Sequence, residues 1–367
     1  MDDADADDAP DADDETDDAP DADELTDATL RRMVREVRSA WSLREAAPAD
    51  EGTDVVYFLT VGTPAGPREC VLKACEFLDP EAFRPEPYLL SLADRRTSIP
   101  VPSVVGAVDD HDDLPAPFFL MDRRDGEVRE NEARELPADA MEQLARDAGR
   151  NLAEVHALGE FEAFGPVRLG ADADRDRGGL TVDGRVLTTH ESASDSWATH
   201  VERLADDCLE SVADRFADLE SDVRSIVADR LDALDGDFAP VLGHDDYRLG
   251  NLLVDPATGE TRAVLDWGNA NTLEVQYNLV VTEQYLSGWA PHDDPFRERV
   301  RTALREEYRA ASDAAYHPDE RRRELYLAVT RLFPMTCFSL WYGHRPEPER
   351  EETAERHRRA IRDLLEG

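Results

Sequence analysis

The stretch VLGHDDYRLGNLLVDPATGETRAVLDWGNA, residues 241–270, gives the strongest indication of the fold and the chemistry of this chain. An apolar run ends at Gly243, the polar loop HDDYRLGN follows, and the apolar residues LLV come next. A turn then leads to AVLDWG, where Asp266 comes directly after another apolar run. Short apolar runs between polar turns are typical of strands. The segment therefore predicts a polar loop flanked by two short strands, and a carboxylate at the end of a further one.

The polar side chains of this stretch have the types and the spacing that phosphoryl transfer requires. His244, Asp246 and Asn251 follow the pattern H-x-D-x-x-x-x-N, and Asp266 begins an Asp-aromatic-Gly triplet. Transfer from ATP needs an Asp that accepts the proton of the attacking hydroxyl, and an Asn and a second Asp that hold Mg²⁺ through oxygen. It also needs a strand Lys that pairs with the α- and β-phosphates. The stretch thus indicates a kinase.

The chain supplies that lysine once. Of its 41 Lys and Arg residues only Lys73 is a lysine, and it lies in the apolar run CVLKAC, residues 70–75. The guanidinium of an arginine is a wide planar fork, which does not replace a compact ammonium at a crowded phosphate site. The position of Lys73 therefore supports the kinase interpretation independently of the loop.

These motifs together resemble the aminoglycoside phosphotransferase and choline kinase superfamily, small-molecule kinases that share the protein-kinase fold. The resemblance runs from about Leu25 to the C-terminus and includes VLK, LAEVHAL, HDDYRLGN and LDWG. It implies an α+β, bilobal fold, with an antiparallel-sheet N-lobe at 26–126 and a larger, mainly helical C-lobe at 127–367. It also implies ATP and Mg²⁺ as cofactors, and a small molecule with a hydroxyl group as acceptor. Acceptors in the superfamily resemble aminoglycosides, choline, homoserine, sugars or hydroxy acids.

On the nucleotide side, the resemblance implies that Lys73 binds the α- and β-phosphates and that Glu86 pairs with Lys73. Gly52 and Thr53, in the loop EGTD, are expected at the nucleotide. This loop has a single glycine, so its sequence signals phosphate binding only weakly.

On the acceptor side, the resemblance implies that Asp246 is the catalytic base, that Asn251 and Asp266 bind Mg²⁺, and that His244 supports the loop. Family members usually have Gly at the position of Asp245. That substitution leaves open a rival hypothesis, a pseudokinase that binds a nucleotide or a partner without turnover.

Several other side chains have two interpretations. Asn278 takes the place of an Asp that commonly fixes the loop, and it can still form hydrogen bonds. His156 is expected to be a structural histidine, and Arg248 either contacts an anionic substrate or pairs with a neighbour such as Asp245. The aromatic residues of the C-lobe either line an acceptor pocket or pack in the core: Trp197, Tyr285, Trp289, Trp341 and Tyr342.

Composition narrows the possible partners and the location. The formal net charge is −42, from 83 acidic and 41 basic residues. The acidic side chains repel one another, and molar salt screens this repulsion, so we expect a halophilic protein. The sequence has no basic patch, so we expect no binding to nucleic acid or to an anionic membrane. The four cysteines form no C-x-x-C pair, and no long apolar run or signal peptide is present, which predicts a cytoplasmic protein. No feature of the sequence indicates the oligomeric state.

Periodicity predicts the remaining elements. Residues 1–25, rich in Asp, Ala and Pro, are expected to be disordered. A helix with apolar positions from Leu30 to Trp41 closes before Pro48. The other predicted elements are a hairpin at 54–61 and 69–77, a helix at 85–96, strands at 104–110 and 117–126, and helices at 141–158, around 195–234 and from 273 onward. Beyond Gly126 only 241–267 is expected to depart from helix.

Overall fold

The computed structural model describes residues 25–49, 54–76, 79–171, 179–291, 293–313 and 316–366. The acidic segment predicted to be disordered lies outside these residues except for Leu25, and Gly52 and Thr53 lie outside them as well. The described chain forms an antiparallel sheet first and a mainly helical part afterwards. This order confirms the predicted α+β class with a sheet-containing N-lobe and a helical C-lobe.

Within the described residues, five strands form the N-lobe sheet, in the antiparallel order β1-β2-β3-β5-β4. The strands are β1 (Ser42–Pro48), β2 (Val55–Thr63), β3 (Gly66–Ala74), β4 (Val104–Val108) and β5 (Phe118–Asp122). β2 and β3 form the predicted hairpin. Its turn is tight because Thr63 pairs with Gly66, whose φ of 123° is a conformation that glycine adopts without steric cost.

Three helices of the described N-lobe pack around this sheet, α1 (Asp27–Val37), α2 (Pro80–Phe83) and α3 (Glu86–Arg96). α1 ends before Trp41, and β1 follows it, a strand that the sequence analysis did not predict. None of the residues of β1 is buried, and its sequence, SLREAAP, contains mostly good helix formers. Pairing with β2 therefore sets its conformation against its intrinsic propensity.

The C-lobe is built mainly from helices whose apolar faces form two core clusters. They are α4 (Ala138–His156), α5 (Trp197–Ser211), α6 (Glu220–Arg230), α7 (Val275–Ser287), α8 (Pro295–Ala311), α9 (Glu320–Thr336), α10 (Phe338–Tyr342) and α11 (Glu347–Glu366). α4 and α8 approach closely at Gly149, where a Cβ would lie 2.3 Å from the carbonyl oxygen of Leu304. No helix in the described ranges combines the length and the apolar character that crossing a membrane requires.

The C-lobe also contains strands beyond those predicted. Among the residues that the structure describes, five strands form a second sheet in the order β7-β8-β6-β12-β9 and two form the ribbon β10-β11. The strands are β6 (Gly165–Gly170), β7 (Leu180–Val182), β8 (Arg185–Thr189), β9 (Val241–His244), β10 (Leu252–Val254), β11 (Thr261–Val264) and β12 (Ala270–Leu273). The expectation that only 241–267 departs from helix was wrong. β6, β7 and β8 are short, and their cross-strand pairing leaves little periodic signal.

Gly126 marks the place where the chain leaves the N-lobe sheet. It has a φ of 138°, and the next residue, Glu127, forms a bridge with Val254 of the ribbon. We therefore propose 26–126 and 127–367 as the two lobes.

Candidate active site

The polar loop between β9 and β10 is held by His244, the last residue of β9. Pairing of His244 with Ala270 places the start of the loop beside the segment that follows Asp266. The buried imidazole donates from Nε2 to the carbonyl oxygen of Leu265 (2.9 Å), and its Nδ1 accepts from the backbone N–H of Asp246 (3.4 Å). Burial lowers the pKa of His244, so the ring is neutral. His244 thereby ties the loop to the residue before Asp266.

A second connection under the loop comes from α7. Asn278 donates from Nδ2 to the carbonyl oxygen of His244 (3.1 Å) and accepts at Oδ1 from Nε2 of His156 (3.0 Å). A Cβ at Gly243 would lie 2.7 Å from that Oδ1, so glycine permits the approach. Burial lowers the pKa of His156 to about 4, and its Nδ1 accepts from the hydroxyl of Tyr308 (2.9 Å). Asn278 therefore fixes the loop without a charge, and His156 is a satisfied, neutral buried histidine.

The carboxylate of Asp246 is held on both sides. Asn251 donates from Nδ2 to the carboxylate (2.8 Å) and to the carbonyl oxygen of Asp246 (2.9 Å). Arg248 donates from Nε to both carboxylate oxygens, at 3.1 and 3.2 Å. The side chain of Asp246 is only 10% exposed. These contacts orient the carboxylate, and they also show that Arg248 pairs with Asp246 and with Glu130, not with Asp245.

Lys73 of β3 joins the N-lobe sheet to the C-lobe. Its Nζ lies 2.8 Å from Oε2 of Glu86, 2.9 Å from Oδ1 of Asp266 and 3.3 Å from Oδ2 of Asp54. Glu86 is the first residue of α3 and is fully buried. The structure thus brings together the predicted Lys73, Glu86 and Asp266, which are far apart in the sequence.

Asp54 is a member of this cluster that sequence analysis missed. One of its oxygens contacts Lys73, and the other, Oδ1, is buried without a hydrogen-bond partner in the described part of the chain. The signal was present in the hairpin register, because Asp54 immediately precedes β2 and Lys73 pairs with Val56 near the same end. Among abundant Asp residues, that position did not stand out.

Burial and charge oppose each other in the Lys73 cluster. Burial disfavours the ammonium, but the carboxylates of Glu86, Asp266 and Asp54 outweigh that effect and hold the pKa of Lys73 well above its usual value. Burial raises the pKa of Glu86 to about 7, against the pull of Lys73. Lys73 lowers the pKa of Asp266. Lys73 is therefore charged at neutral pH, with an excess of carboxylates around it.

The backbone of Asp266 turns its side chain toward this cluster. Its φ of 55° and ψ of 68° lie in the left-handed region, which Asp tolerates better than most residues. The next residue, Trp267, is buried and packs edge-on against the ring of His244, with the ring centroids 5.0 Å apart. The side chain of Asp266 is 33% exposed, so it contacts Lys73 and also remains accessible to solvent.

The donor set suits a hard cation bound together with phosphates. Asn251 and Asp266 offer an amide and a carboxylate oxygen, which are the ligand types that Mg²⁺ takes. Over the described ranges, no group of three or more His, Cys, Asp or Glu side chains is arranged to hold a metal. A Mg²⁺ ion here would thus complete its coordination with water and nucleotide oxygens, as it usually does.

Asp245 differs from its neighbour in environment. Its Oδ2 accepts from Nδ2 of Asn271 (3.1 Å), whereas its Oδ1 is buried without a hydrogen-bond partner in the described ranges. Burial, reinforced by the charge of Asp246, raises the pKa of Asp245 to about 8. Asp245 is therefore predominantly protonated at neutral pH and adds little negative charge beside Asp246.

A cavity of about 450 Å³ opens beside the loop. Leu249 of the loop lines it, and four of the five C-lobe aromatic residues with two interpretations line it as well: Tyr285, Trp289, Trp341 and Tyr342. The fifth, Trp197, is packed in the core. The cavity thus adjoins the loop that carries Asp246.

Comparison with known proteins agrees with this architecture. The sequence profile of the phosphotransferase enzyme family matches residues 45–326. No curated protein matches the chain. Solved structures do.

Three of the similar structures are small-molecule kinases. A thermostable mutant of aminoglycoside phosphotransferase APH(4)-Ia, with ADP and hygromycin B, is 15% identical with a TM-score of 0.59, over 91% of this chain and 98% of its own. A microcompartment-associated aminopropanol kinase is 16% identical with a TM-score of 0.54, over 90% and 94%. Amicoumacin kinase hAmiN, in complex with AMP-PNP, Ca²⁺ and its ligand Ami, is 15% identical with a TM-score of 0.52, over 90% and 93%. At these identities the likeness establishes the fold.

Proposed function

The chain belongs to the phosphotransferase enzyme family, and on that premise we propose that it transfers the γ-phosphate of ATP, with Mg²⁺, to a hydroxyl group of a small molecule. One observation carries the proposal. Lys73 contacts both Glu86 and Asp266, while Asp246 and Asn251 are joined on the adjoining loop. ADP or AMP-PNP in two of the similar kinase structures supports the choice of an adenine nucleotide.

In this mechanism Lys73 binds the α- and β-phosphates and Glu86 keeps the ammonium in place. Asn251 and Asp266 would hold Mg²⁺, which when bound would neutralise negative charge on the phosphates. Gly52 and Thr53 are proposed to approach the nucleotide from the loop before β2.

Asp246 acts on the acceptor. As the hydroxyl oxygen forms its bond to the γ-phosphorus, the bond from that phosphorus to the bridging oxygen of ADP breaks and the hydroxyl proton moves to Asp246. The hydrogen bonds from Asn251 and Arg248 orient the carboxylate before the acceptor arrives, and His244 holds the loop that carries it. Positioning of this kind is the main source of catalysis in phosphoryl transfer.

Two further features extend the proposal. Cys70, Cys208 and Cys337 are free thiols, which supports a reducing cytoplasm as the location. The net charge of −42 supports a protein that works at molar salt.

The test measures ATP consumption with Mg²⁺ and a panel of aminoglycosides, choline, homoserine, sugars and hydroxy acids. KCl is set at about 0.1 M and about 1 M, because screening of the acidic surface changes strongly over this range. Asp246→Ala is the control, since it removes the base but leaves Lys73 and the metal-binding oxygens in place.

Acceptor-dependent consumption that disappears in Asp246→Ala supports the proposal. ATP binding without consumption for any acceptor contradicts it and favours the pseudokinase hypothesis. Full activity in Asp246→Ala would remove Asp246 from the role of base.

A further inference from the structure

The cavity beside the loop is built largely from α9, α11 and the segment after α7. Its lining includes Leu249 of the loop and Arg331 and Arg356 from α9 and α11. An adjoining cavity of about 500 Å³ shares Arg331, Arg356 and Arg134 with it. The two cavities therefore meet at the arginine group formed by Arg134, Arg331 and Arg356.

Neither Arg331 nor Arg356 has an anionic partner among the residues that the structure describes. Arg331 is buried and contacts the side-chain oxygen of Gln284 and the carbonyl oxygen of Gly288 (3.4 Å). Arg356 donates to Oγ1 of Thr353 (2.8 Å) and to a backbone carbonyl. Across the described ranges, no carboxylate oxygen lies within 4.0 Å of a nitrogen of Arg331 or Arg356, whereas many other arginines of this chain, such as Arg150, Arg230 and Arg323, pair with Asp or Glu. Nε of Arg331 is buried without any hydrogen-bond partner among those residues.

The charges in this group repel one another. Burial, together with Arg297 and Arg356, lowers the pKa of Arg331 to about 9. Burial and the nearby Arg134 also lower the pKa of Arg356. Buried His357, which faces Arg331 and Arg356, has a pKa well below its usual value. Burial and mutual repulsion disfavour the charged form of these arginines, and a bound anion would stabilise that form.

The carboxylates of the same cavity do not neutralise the group. Glu349 and Glu352 line the cavity but are exposed to solvent, where charges are screened, and the charge of Glu352 offsets only part of the lowering of the pKa of Arg356. Glu130 is paired with Arg248. In a chain with twice as many acidic as basic residues, the buried charge of this cavity is positive.

The aromatic lining does not form a cage for a cationic ligand. Arg134 lies over the ring of Trp289 (5.7 Å), Arg248 over that of Trp341 (5.7 Å), and Arg345 over that of Tyr342 (5.3 Å). A quaternary or primary ammonium binds the open face of such rings. Here one of the protein's own guanidinium groups already covers one face of each of these three rings.

We propose that the acceptor carries, in addition to the hydroxyl that is phosphorylated, a carboxylate or phosphate group that binds to Arg331 and Arg356. This inference rests on the proposed kinase function, because it names the class of acceptor for the same site. The anionic group sits in the cavity, and the rest of the molecule extends past Leu249 toward Asp246. Bidentate contacts from guanidinium groups suit both kinds of anion.

The test uses four six-carbon probes that share hydroxyl groups and differ in charge: glucose, glucosamine, gluconate and glucose 6-phosphate. Binding is followed by intrinsic tryptophan fluorescence, to which Trp289 and Trp341 of the cavity contribute, at one fixed KCl concentration, and phosphate transfer to each probe is measured in parallel. Arg356→Gln removes one anion-binding group. Arg362→Gln is the matched control, because Arg362 lies on the same helix but pairs with Asp218 on the surface.

We expect at least one anionic probe to bind about tenfold or more tightly than glucose, since hydrogen bonds between charged groups are the strong ones. Arg356→Gln should remove this preference and Arg362→Gln should keep it. The ratio of gluconate to glucose 6-phosphate binding then identifies the anion as carboxylate or phosphate. Arg134→Gln, at the exposed mouth of the cavity, repeats the test without changing a partly buried side chain.

Equal binding of all four probes, no binding of any, or preference for glucosamine would overturn the inference. An equal loss in Arg362→Gln would also overturn it. The two proposals fail separately: anion binding without transfer to any acceptor contradicts the kinase, whereas transfer only to neutral or cationic acceptors contradicts the anionic class alone.

Discussion

Replacement of Lys73 by arginine keeps the charge and changes only its shape, so it tests why the chain retains one lysine. Nζ of Lys73 lies within 3 Å of Glu86 and Asp266, at 2.8 and 2.9 Å, and the side chain is 9% exposed. The planar guanidinium of Arg cannot occupy this space with both contacts intact. A hydrogen bond to a charged group contributes about 1.5–3 kcal/mol.

Loss of one such contact in the nucleotide complex, about 2 kcal/mol, corresponds to a decrease of roughly 30-fold in kcat/KM for ATP. The assay measures kcat/KM for ATP at saturating acceptor, and urea unfolding of the same protein verifies that it is folded. Wild-type kcat/KM in Lys73→Arg would refute the argument from shape.

Lys73→Met is the companion variant, because it removes the charge and leaves three carboxylates without their cation. Breaking a buried ion pair costs about 3–5 kcal/mol of unfolding free energy. The pKa of Glu86 is about 7, so protonation of Glu86 should make the loss smaller below that pH. Urea unfolding of Lys73→Met and wild type at two pH values measures the loss of unfolding free energy. A loss that does not depend on pH would contradict the interpretation that Glu86 is protonated below about pH 7.

Three further variants test other parts of the account. Asp245→Asn should gain unfolding free energy relative to wild type as pH rises from about 4 to about 8. In the wild type the pKa of Asp245 is raised from 3.8 to about 8, so stability that is fully present below pH 3.8 is lost as pH rises through about 8. Urea unfolding of both proteins at pH values on each side of this range checks the prediction, and a difference that does not change with pH would contradict it. Gly259→Ala should lower the unfolding free energy by about 2 kcal/mol or more, since φ is 74° and a Cβ would lie 2.0 Å from the carbonyl oxygen of Ala140. Gly184→Ala is the control, because its φ is 80° but no atom lies within 4 Å of the added Cβ. Thermal unfolding should show a smaller loss of stability for Gly184→Ala than for Gly259→Ala. Asn251→Ala should raise the Mg²⁺ concentration for half-maximal activity about tenfold or more, because one of two protein oxygens is lost; an unchanged Mg²⁺ titration would exclude Asn251 as a ligand.

The residues of the proposed site can be recognised in the sequence, whereas several strands cannot, and the reason is physical. Lys73, Asp246, Asn251 and Asp266 are recognisable because the chemistry permits few substitutes. β1 was missed because edge pairing, which is non-local, overrides the helix propensity of SLREAAP. In the structure Nζ of Lys73 donates to Oε2 of Glu86, the pair that the resemblance implied.

Other features depend on tertiary contacts that no local pattern encodes. Asp54 becomes part of the Lys73 cluster only through the hairpin register. The arginine group of the cavity comes from α9, α11 and the segment before α4, so its members are widely separated in the chain. Asn278 was recognisable as a substitute for Asp, but its link from His156 to His244 required the packed helices.

The most direct measurement of the central claim is ³¹P NMR of ATP, Mg²⁺ and the acceptor pool with wild-type protein and with Asp246→Ala. We predict a new phosphomonoester signal that grows in equal amount with ADP in the wild type and is absent in Asp246→Ala. ADP with inorganic phosphate but no phosphomonoester, or a phosphomonoester signal of equal rate in both proteins, would contradict it.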